Sequence, residues 1–91
     1  MQKVMLVEDN QTMFDLLNTL FVLEGYEVSS DIGEQDFLAS VKQNEPDLIM
    51  LDVHLRVVGG VEVNGFELLR QIRSDEILKD IKVLMLSLIH I

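Results

Sequence analysis

Three carboxylates follow two apolar runs in the first half of the chain. Glu8 and Asp9 come directly after the run at residues 4–7, and Asp52 comes directly after the run at residues 48–51. If these runs form neighbouring parallel strands, their carboxyl ends meet at one edge of the sheet and the three acids converge there. That concentration of negative charge is unfavourable unless a divalent cation neutralises it. The sequence therefore predicts a functional site at this edge.

The residue types at this edge suit metal-assisted phosphoryl transfer. An aspartate can attack a phosphoryl group and form an acyl phosphate when a cation offsets the repulsion between the two anions. Mg²⁺ prefers oxygen ligands and keeps several waters, so Glu8 and Asp9 could hold it beside Asp52. Ser87 follows the apolar run at residues 83–86, and its hydroxyl could hydrogen-bond the transferred group.

These residues need strands and helices to bring them together. Short apolar runs predict strands at residues 3–7, 26–29, 47–51 and 81–86. Segments of helical periodicity lie between the strands, so the pattern predicts right-handed crossovers and a parallel α/β sheet with helices on both faces. The near-continuous apolar character of the strands agrees with burial on both faces.

Three helices are predicted from apolar residues at helical spacing. The first has apolar residues at positions 13, 16, 17, 20, 21 and 23 and ends at Gly25. The second opens at Gly33 and ends at positions 44–46. The third begins at position 64 or 65 and carries Phe66, Leu69 and Ile72 on one side.

Charge and composition exclude several classes of function. Residues 1–52 carry eleven acids against two bases, and residues 53–91 carry five of each, so no basic stripe exists for direct nucleic-acid binding. The chain has no cysteine, which excludes disulfides and thiolate metal sites. It begins with a strand pattern rather than a signal peptide and contains no bilayer-length apolar run, so we expect a cytoplasmic location and no membrane partner.

Four stretches in order resemble the receiver domain of two-component response regulators. They lie at residues 6–10 (LVEDN), 46–52 (PDLIMLD), 64–69 (NGFELL) and 83–87 (VLMLS), and together they cover nearly the whole chain. The resemblance implies a flavodoxin-like doubly wound parallel sheet with strand order 2-1-3-4. It also implies a signalling module rather than an enzyme, with a histidine kinase or phosphotransfer protein as its partner.

The resemblance also implies a role for each residue of the predicted site. Asp52 looks like the phospho-accepting aspartate, and Ser87 looks like the switch hydroxyl. Glu8 and Asp9 look like the acidic pair around Mg²⁺, with Asp52 as a further ligand. His54 looks like the position that lends its backbone carbonyl to the metal.

The chain departs from the family pattern in three places. The loop between Asp52 and Gly65 is longer than usual, and Leu88 replaces the small residue that usually follows the switch hydroxyl. The chain also stops after the fourth strand, so we expect one C-terminally truncated receiver domain over residues 1–91. The family's fifth strand, with its phosphate-contacting lysine, and its last two helices are then absent. An exposed apolar fourth strand of this kind favours self-association.

Alternative interpretations remain open at this point. Asp52 could be a turn-forming or helix-capping residue, although that role does not explain Glu8 and Asp9 at the neighbouring strand end. The chain could be a receiver-like protein-interaction module that is not phosphorylated, or a non-functional truncated fragment. A phosphohydrolase is a further alternative, but that class usually has a second aspartate two residues after the nucleophile, where His54 stands here.

Overall fold

β1 (Lys3–Val7) lies inside a four-stranded parallel sheet whose strand order is β2-β1-β3-β4. The computed structural model of the protein describes residues 2–8, 10–30, 36–53 and 64–86. The other strands are β2 (Glu27–Ser30), β3 (Leu48–Asp52) and β4 (Lys82–Leu86). The predicted α/β class, parallel sheet and strand order are confirmed, and each strand lies within one residue of its predicted position.

Three helices connect the strands: α1 (Gln11–Leu23), α2 (Phe37–Asn44) and α3 (Gly65–Ser74). Alternate residues of a strand point to opposite faces of the sheet, which divides the core into two layers. The layer beneath α2 and α3 is a continuous apolar cluster built from Met5, Val7, Phe37, Val41, Ile49, Leu51, Leu68, Ile72 and Leu78. The helix α1 packs against β1 and β2.

Side-chain caps set where the helices begin. Asp36 accepts hydrogen bonds from the backbone N–H groups of Leu38 and Ala39, so α2 begins at Phe37. The predicted start at Gly33 lies outside the described residues. At its other end, α2 closes on Glu45, whose φ of 48° is left-handed, and Pro46 follows.

The apolar face predicted for α3 was partly wrong. Phe66 is 59% exposed, whereas Gly65, Leu68 and Ile72 are buried and Leu69 is partly buried. Positions 65, 68, 69 and 72 recur at the helical spacing of three and four residues, and position 66 is turned about 100° from the first of them.

The apolar residues of α1 are also less buried than a core helix would require. None of its residues is fully buried, and Leu16, Leu20 and Leu23 are at least half exposed. Their spacing of four and three residues places them on one stripe of the helix. Among the described helices, none is both long enough and apolar enough to cross a bilayer.

Candidate functional site

The carboxyl ends of β1 and β3 bring Glu8 and Asp52 to the same edge of the sheet. Val7 pairs with Leu51, and the next residue on each side is Glu8, which directly follows β1, and Asp52, which is the last residue of β3. The exposed fraction is 3% for Glu8 and 6% for Asp52. Two of the three acids are therefore held at one edge of the sheet, and both have little access to solvent.

Glu8 is connected to the start of α1. The backbone N–H of Asn10 donates to Oε1 of Glu8 at 3.0 Å. The side chain of Asn10 in turn accepts a hydrogen bond from the backbone N–H of Met13 at 2.9 Å and caps the helix. The orientation of Glu8 is thus tied to the β1–α1 turn.

The end of β4 lies beside Asp52. Asp52 pairs with Leu86 in the parallel register, and the backbone N–H of Val53 donates to the carbonyl oxygen of Leu86 at 2.9 Å. The residue that follows Leu86 in the chain is Ser87, the predicted switch hydroxyl.

The first turn of α3 contacts the backbone of Asp52 and Val53. The N–H of Gly65 donates to the carbonyl oxygen of Val53 at 2.9 Å, and Asn64 caps the helix through the N–H of Glu67 at 2.9 Å. Gly65 is in close contact with Asp52, because a Cβ atom built at Gly65 would lie 2.1 Å from the carbonyl oxygen of Asp52. A helix start and a strand end therefore meet at the backbone of Asp52.

Two of the five predicted site residues fall in the described part of the chain, and the structure brings these two together. Asp9, His54 and Ser87 lie outside the described residues, so their roles stay predictions. Within residues 2–8, 10–30, 36–53 and 64–86, no cluster of three or more His, Cys, Asp or Glu side chains is arranged to hold a metal ion.

Gly65 is a residue whose contact with the site the sequence analysis missed. The sequence pattern predicts position 65 only as a possible helix start, although glycine is a poor helix former and position 64 already supplies a cap. A glycine at the first helical position next to a predicted site indicates close approach of two backbones, and that signal was available in the sequence.

Glu67 lies in the first turn of α3, two residues after Gly65, but its carboxylate pairs with Arg70. Its carboxylate pairs with the guanidinium of Arg70, with N–O distances of 2.6 and 2.7 Å to one nitrogen. This hydrogen bond from Arg70 lowers the pKa of Glu67. Glu67 therefore serves an ion pair on the surface of α3.

Two surface clefts lie at the opposite edge of the sheet. One, of about 380 Å³, is lined by residues of α2 and of the α3–β4 turn, including Val41, Pro46 and Leu78. The other, of about 570 Å³, includes Tyr26, Asp47 and Lys82. Pro46, Asp47 and Lys82 stand at the amino ends of β3 and β4, so both clefts are remote from Glu8 and Asp52.

Comparison with known proteins agrees with this geometry. The family model described as the response regulator receiver domain matches residues 4–90. The chain is 33% identical over 87 residues to the DNA-binding dual master transcriptional regulator RpaA of Synechocystis, covering 96% of this chain and 34% of RpaA. It is 31% identical over 86 residues to the polar-differentiation response regulator DivK of Brucella ovis, covering 94% of this chain and 66% of DivK.

Solved structures are similar over most of the chain. The N-terminal domain of a response regulator receiver protein from Methanoculleus marisnigri has a TM-score of 0.78 at 26% identity, covering 91% of this chain and 63% of that one. A chemotaxis response regulator of Vibrio cholerae has a TM-score of 0.78 at 27% identity, and the match covers 93% of this chain and 67% of that one. Because the family model, the strand order and the buried acids at the sheet edge agree, we conclude that this chain belongs to the response regulator receiver-domain family of two-component signalling.

Proposed function

We propose that the chain is a phospho-accepting receiver, in which Asp52 takes a phosphoryl group from a histidine kinase or a phosphotransfer protein. The observation that carries this proposal is the position of Asp52. Asp52 stands at the carboxyl end of β3 and is 6% exposed, and the neighbouring end of β1 carries the buried Glu8. A nucleophile in a parallel α/β protein belongs at this edge, where ligands bind.

The proposed reaction transfers a phosphoryl group from a phosphohistidine of the donor to Asp52. A carboxylate oxygen of Asp52 forms a bond to phosphorus while the bond between phosphorus and the donor's imidazole nitrogen breaks. The electron pair of the broken bond stays on the nitrogen, which then takes up a proton. The product is an acyl phosphate on Asp52, and the hydroxyl of Ser87, which follows β4 in the sequence, is its proposed hydrogen-bond donor.

The described acids fit a magnesium ion. Glu8 and Asp52 offer hard oxygen ligands at one sheet edge, and Mg²⁺ prefers such ligands and completes its shell with water. Asp9 and the backbone carbonyl of His54 complete the proposed ligand set. When bound, Mg²⁺ supplies positive charge that offsets the repulsion between the Asp52 carboxylate and the incoming phosphoryl oxygens.

Labelling with a small phosphodonor tests the role of Asp52. In the presence of Mg²⁺ and acetyl phosphate, we expect the parent protein to gain a single hydroxylamine-sensitive phosphate. We expect the Asp52→Asn variant to gain none. Asp47→Asn is the matched control, because Asp47 precedes the same strand at the opposite edge, where it accepts a hydrogen bond from the N–H of Lys3. Labelling that persists in Asp52→Asn contradicts the assignment. A parent that takes no label favours the unphosphorylated interaction module.

Metal binding is tested separately from labelling. We expect Asp9→Ala and Glu8→Gln to weaken Mg²⁺ binding in a titration, because each removes one negative oxygen ligand. Asp15→Asn serves as the control, since Asp15 is an exposed acid within α1 that hydrogen-bonds Gln11. Unchanged Mg²⁺ affinity in Asp9→Ala would show that the metal assignment is wrong.

A further inference from the structure

Gly65 brings the first turn of α3 against the backbone of Asp52. A Cβ atom at Gly65 would lie 2.1 Å from the carbonyl oxygen and 2.9 Å from the carbonyl carbon of Asp52, and 2.9 Å from Cα of Val53. All three neighbours are backbone atoms, so rotation of a side chain cannot relieve the overlap. A side chain at position 65 therefore requires that α3 or the end of β3 moves by roughly an ångström.

Both partners in this contact are anchored. On the helix side, Leu68 is 2% exposed and Ile72 is fully buried in the core, so a shift of α3 disturbs close packing. On the strand side, the N–H of Val53 donates to Leu86 and its carbonyl accepts from the N–H of Gly65, each at 2.9 Å. A displacement at position 65 is consequently shared between the core contacts of α3 and the backbone that carries the Asp52 carboxyl group.

Backbone conformation does not explain the glycine. Among the described glycines, the left-handed one is Gly25, with φ of 91°, so alanine can adopt the backbone conformation of Gly65. Alanine is also the better residue inside a helix, because it loses less backbone entropy than glycine. Conformational preference thus favours alanine at position 65, and the contact with Asp52 opposes it.

We propose that Gly65 is a positioning residue for phosphoryl transfer: its missing side chain allows α3 to fix the backbone of Asp52, and with it the line along which the carboxylate meets the phosphorus. This inference rests on the proposed function of Asp52. Because a reacting group misplaced by an ångström can lose about a hundredfold in rate, a change at position 65 should slow the chemical step.

The test compares Gly65→Ala with Gly25→Ala in the full chain, using acetyl phosphate and Mg²⁺. In this reaction the Asp52 oxygen bonds to phosphorus, the bond between phosphorus and the acetate oxygen breaks, and acetate leaves with the electron pair. Gly25→Ala is the matched control, because it is strained by its positive φ but has no atom within 4 Å of its added Cβ. Gly25 also precedes β2, at the edge of the sheet opposite Asp52.

The rate is expressed per folded molecule, with the folded fraction taken from circular dichroism. We expect Gly65→Ala to lower the rate at saturating donor by about a hundredfold, with little change in the half-saturating donor concentration, and Gly25→Ala to keep the parent rate. An unchanged rate in Gly65→Ala, or equal slowing in both variants, overturns the inference. A parent that takes no label defeats the proposed function instead.

A second variant keeps the test decisive if Gly65→Ala does not fold. Asn64→Ala leaves Gly65 in place and removes the cap on the N–H of Glu67, which loosens the first turn of α3. We expect this variant to label several-fold more slowly per folded molecule than Gly25→Ala. If its rate equals that of Gly25→Ala, α3 does not position Asp52 and the inference is wrong.

Discussion

At the scale of single residues, Asp52 and Glu8, for which we propose a role in phosphoryl transfer, are two buried acids at one edge of the sheet. Burying a carboxylate removes it from water, and a second acid nearby adds repulsion between like charges. Both residues nevertheless have exposed fractions below a tenth. Functional sites commonly retain such unfavourable groups, because the group that destabilises the fold is the one that reacts.

Removing the charge at Asp52 should therefore stabilise the protein. Without Mg²⁺, we expect Asp52→Asn to raise the free energy of unfolding by on the order of 1 kcal/mol, because one of two buried acids becomes neutral. Urea denaturation at neutral pH measures this change. Added Mg²⁺ should reduce the difference in free energy of unfolding between Asp52→Asn and the parent, because it stabilises the parent more. Asp47→Asn should show no comparable gain. A loss of stability in Asp52→Asn would contradict this account of the charge.

At the scale of elements, the turn between α3 and β4 is fixed by polar groups that the helices supply. Arg73 in the last turn of α3 donates to the carbonyl oxygens of Lys79 at 2.9 Å and Ile81 at 2.7 Å. Asp75, which follows α3, pairs with Lys42 of α2 at 2.9 Å. These contacts join α2 and α3 to the turn that leads into β4.

The ion pair makes this turn sensitive to acid. The hydrogen bond from Lys42 and then the N–H groups of Ile77 and Leu78 hold the pKa of Asp75 below its ordinary value of 3.8. A depressed pKa contributes stability that is fully present above the unfolded value and is lost as the pH falls through the folded value. We expect the stability advantage of the parent over Asp75→Asn to be constant between about pH 7 and 5 and to shrink below about pH 4.

Urea denaturation at several pH values measures this advantage. Glu76→Gln is the matched control, since Glu76 lies in the same turn but is almost fully exposed, and its oxygen is 3.8 Å from the Lys79 nitrogen. Its stability difference from the parent should stay nearly constant over the same range. An advantage over Asp75→Asn that grows on acidification would be inconsistent with the lowered pKa.

Sequence patterns predicted the elements better than the details of their packing. Buried strands are continuous apolar runs, and Asn64 is a strong capping residue, so the strands and the start of α3 could be located. The exposure of Phe66 depends on which side of α3 meets the sheet, and the close approach of Gly65 depends on tertiary packing. The convergence of Glu8 with Asp52 could be predicted, because parallel strand ends meet at one edge.

For the whole molecule, two of the apolar places on the described surface differ in the kind of contact that they offer. Leu16, Leu20 and Leu23 form a stripe on α1, and Leu84 on the outermost described strand is 51% exposed. An edge strand with apolar residues offers unpaired backbone groups to a second copy, whereas a helix stripe offers apolar area alone. The two places therefore predict different modes of association.

The polypeptide of residues 1–91, prepared alone, should associate mainly through β4. We expect Leu84→Lys to lower its apparent mass in sedimentation equilibrium, because a charge on an edge strand opposes pairing with another strand. Leu20→Lys is a matched control, since Leu20 is 50% exposed but lies on a helix. A monomeric parent, or equal loss of association in both variants, would show that strand pairing is not the cause.

The central position of β1 also has a consequence for how the chain folds. Of the described strands β1 is synthesised first, but one of its two neighbours is β3, and the backbone N–H of Lys3 donates to the carboxylate of Asp47, 44 residues further along the chain. Closing so long a segment costs chain entropy before the sheet gains the contacts that repay it. During synthesis, Val4 to Val7, which are fully buried in the finished fold, wait for β3 to emerge from the ribosome. Among the described strands, β1 is therefore the one that waits longest for its last sheet neighbour, and its apolar residues are open to aggregation or chaperones during that time.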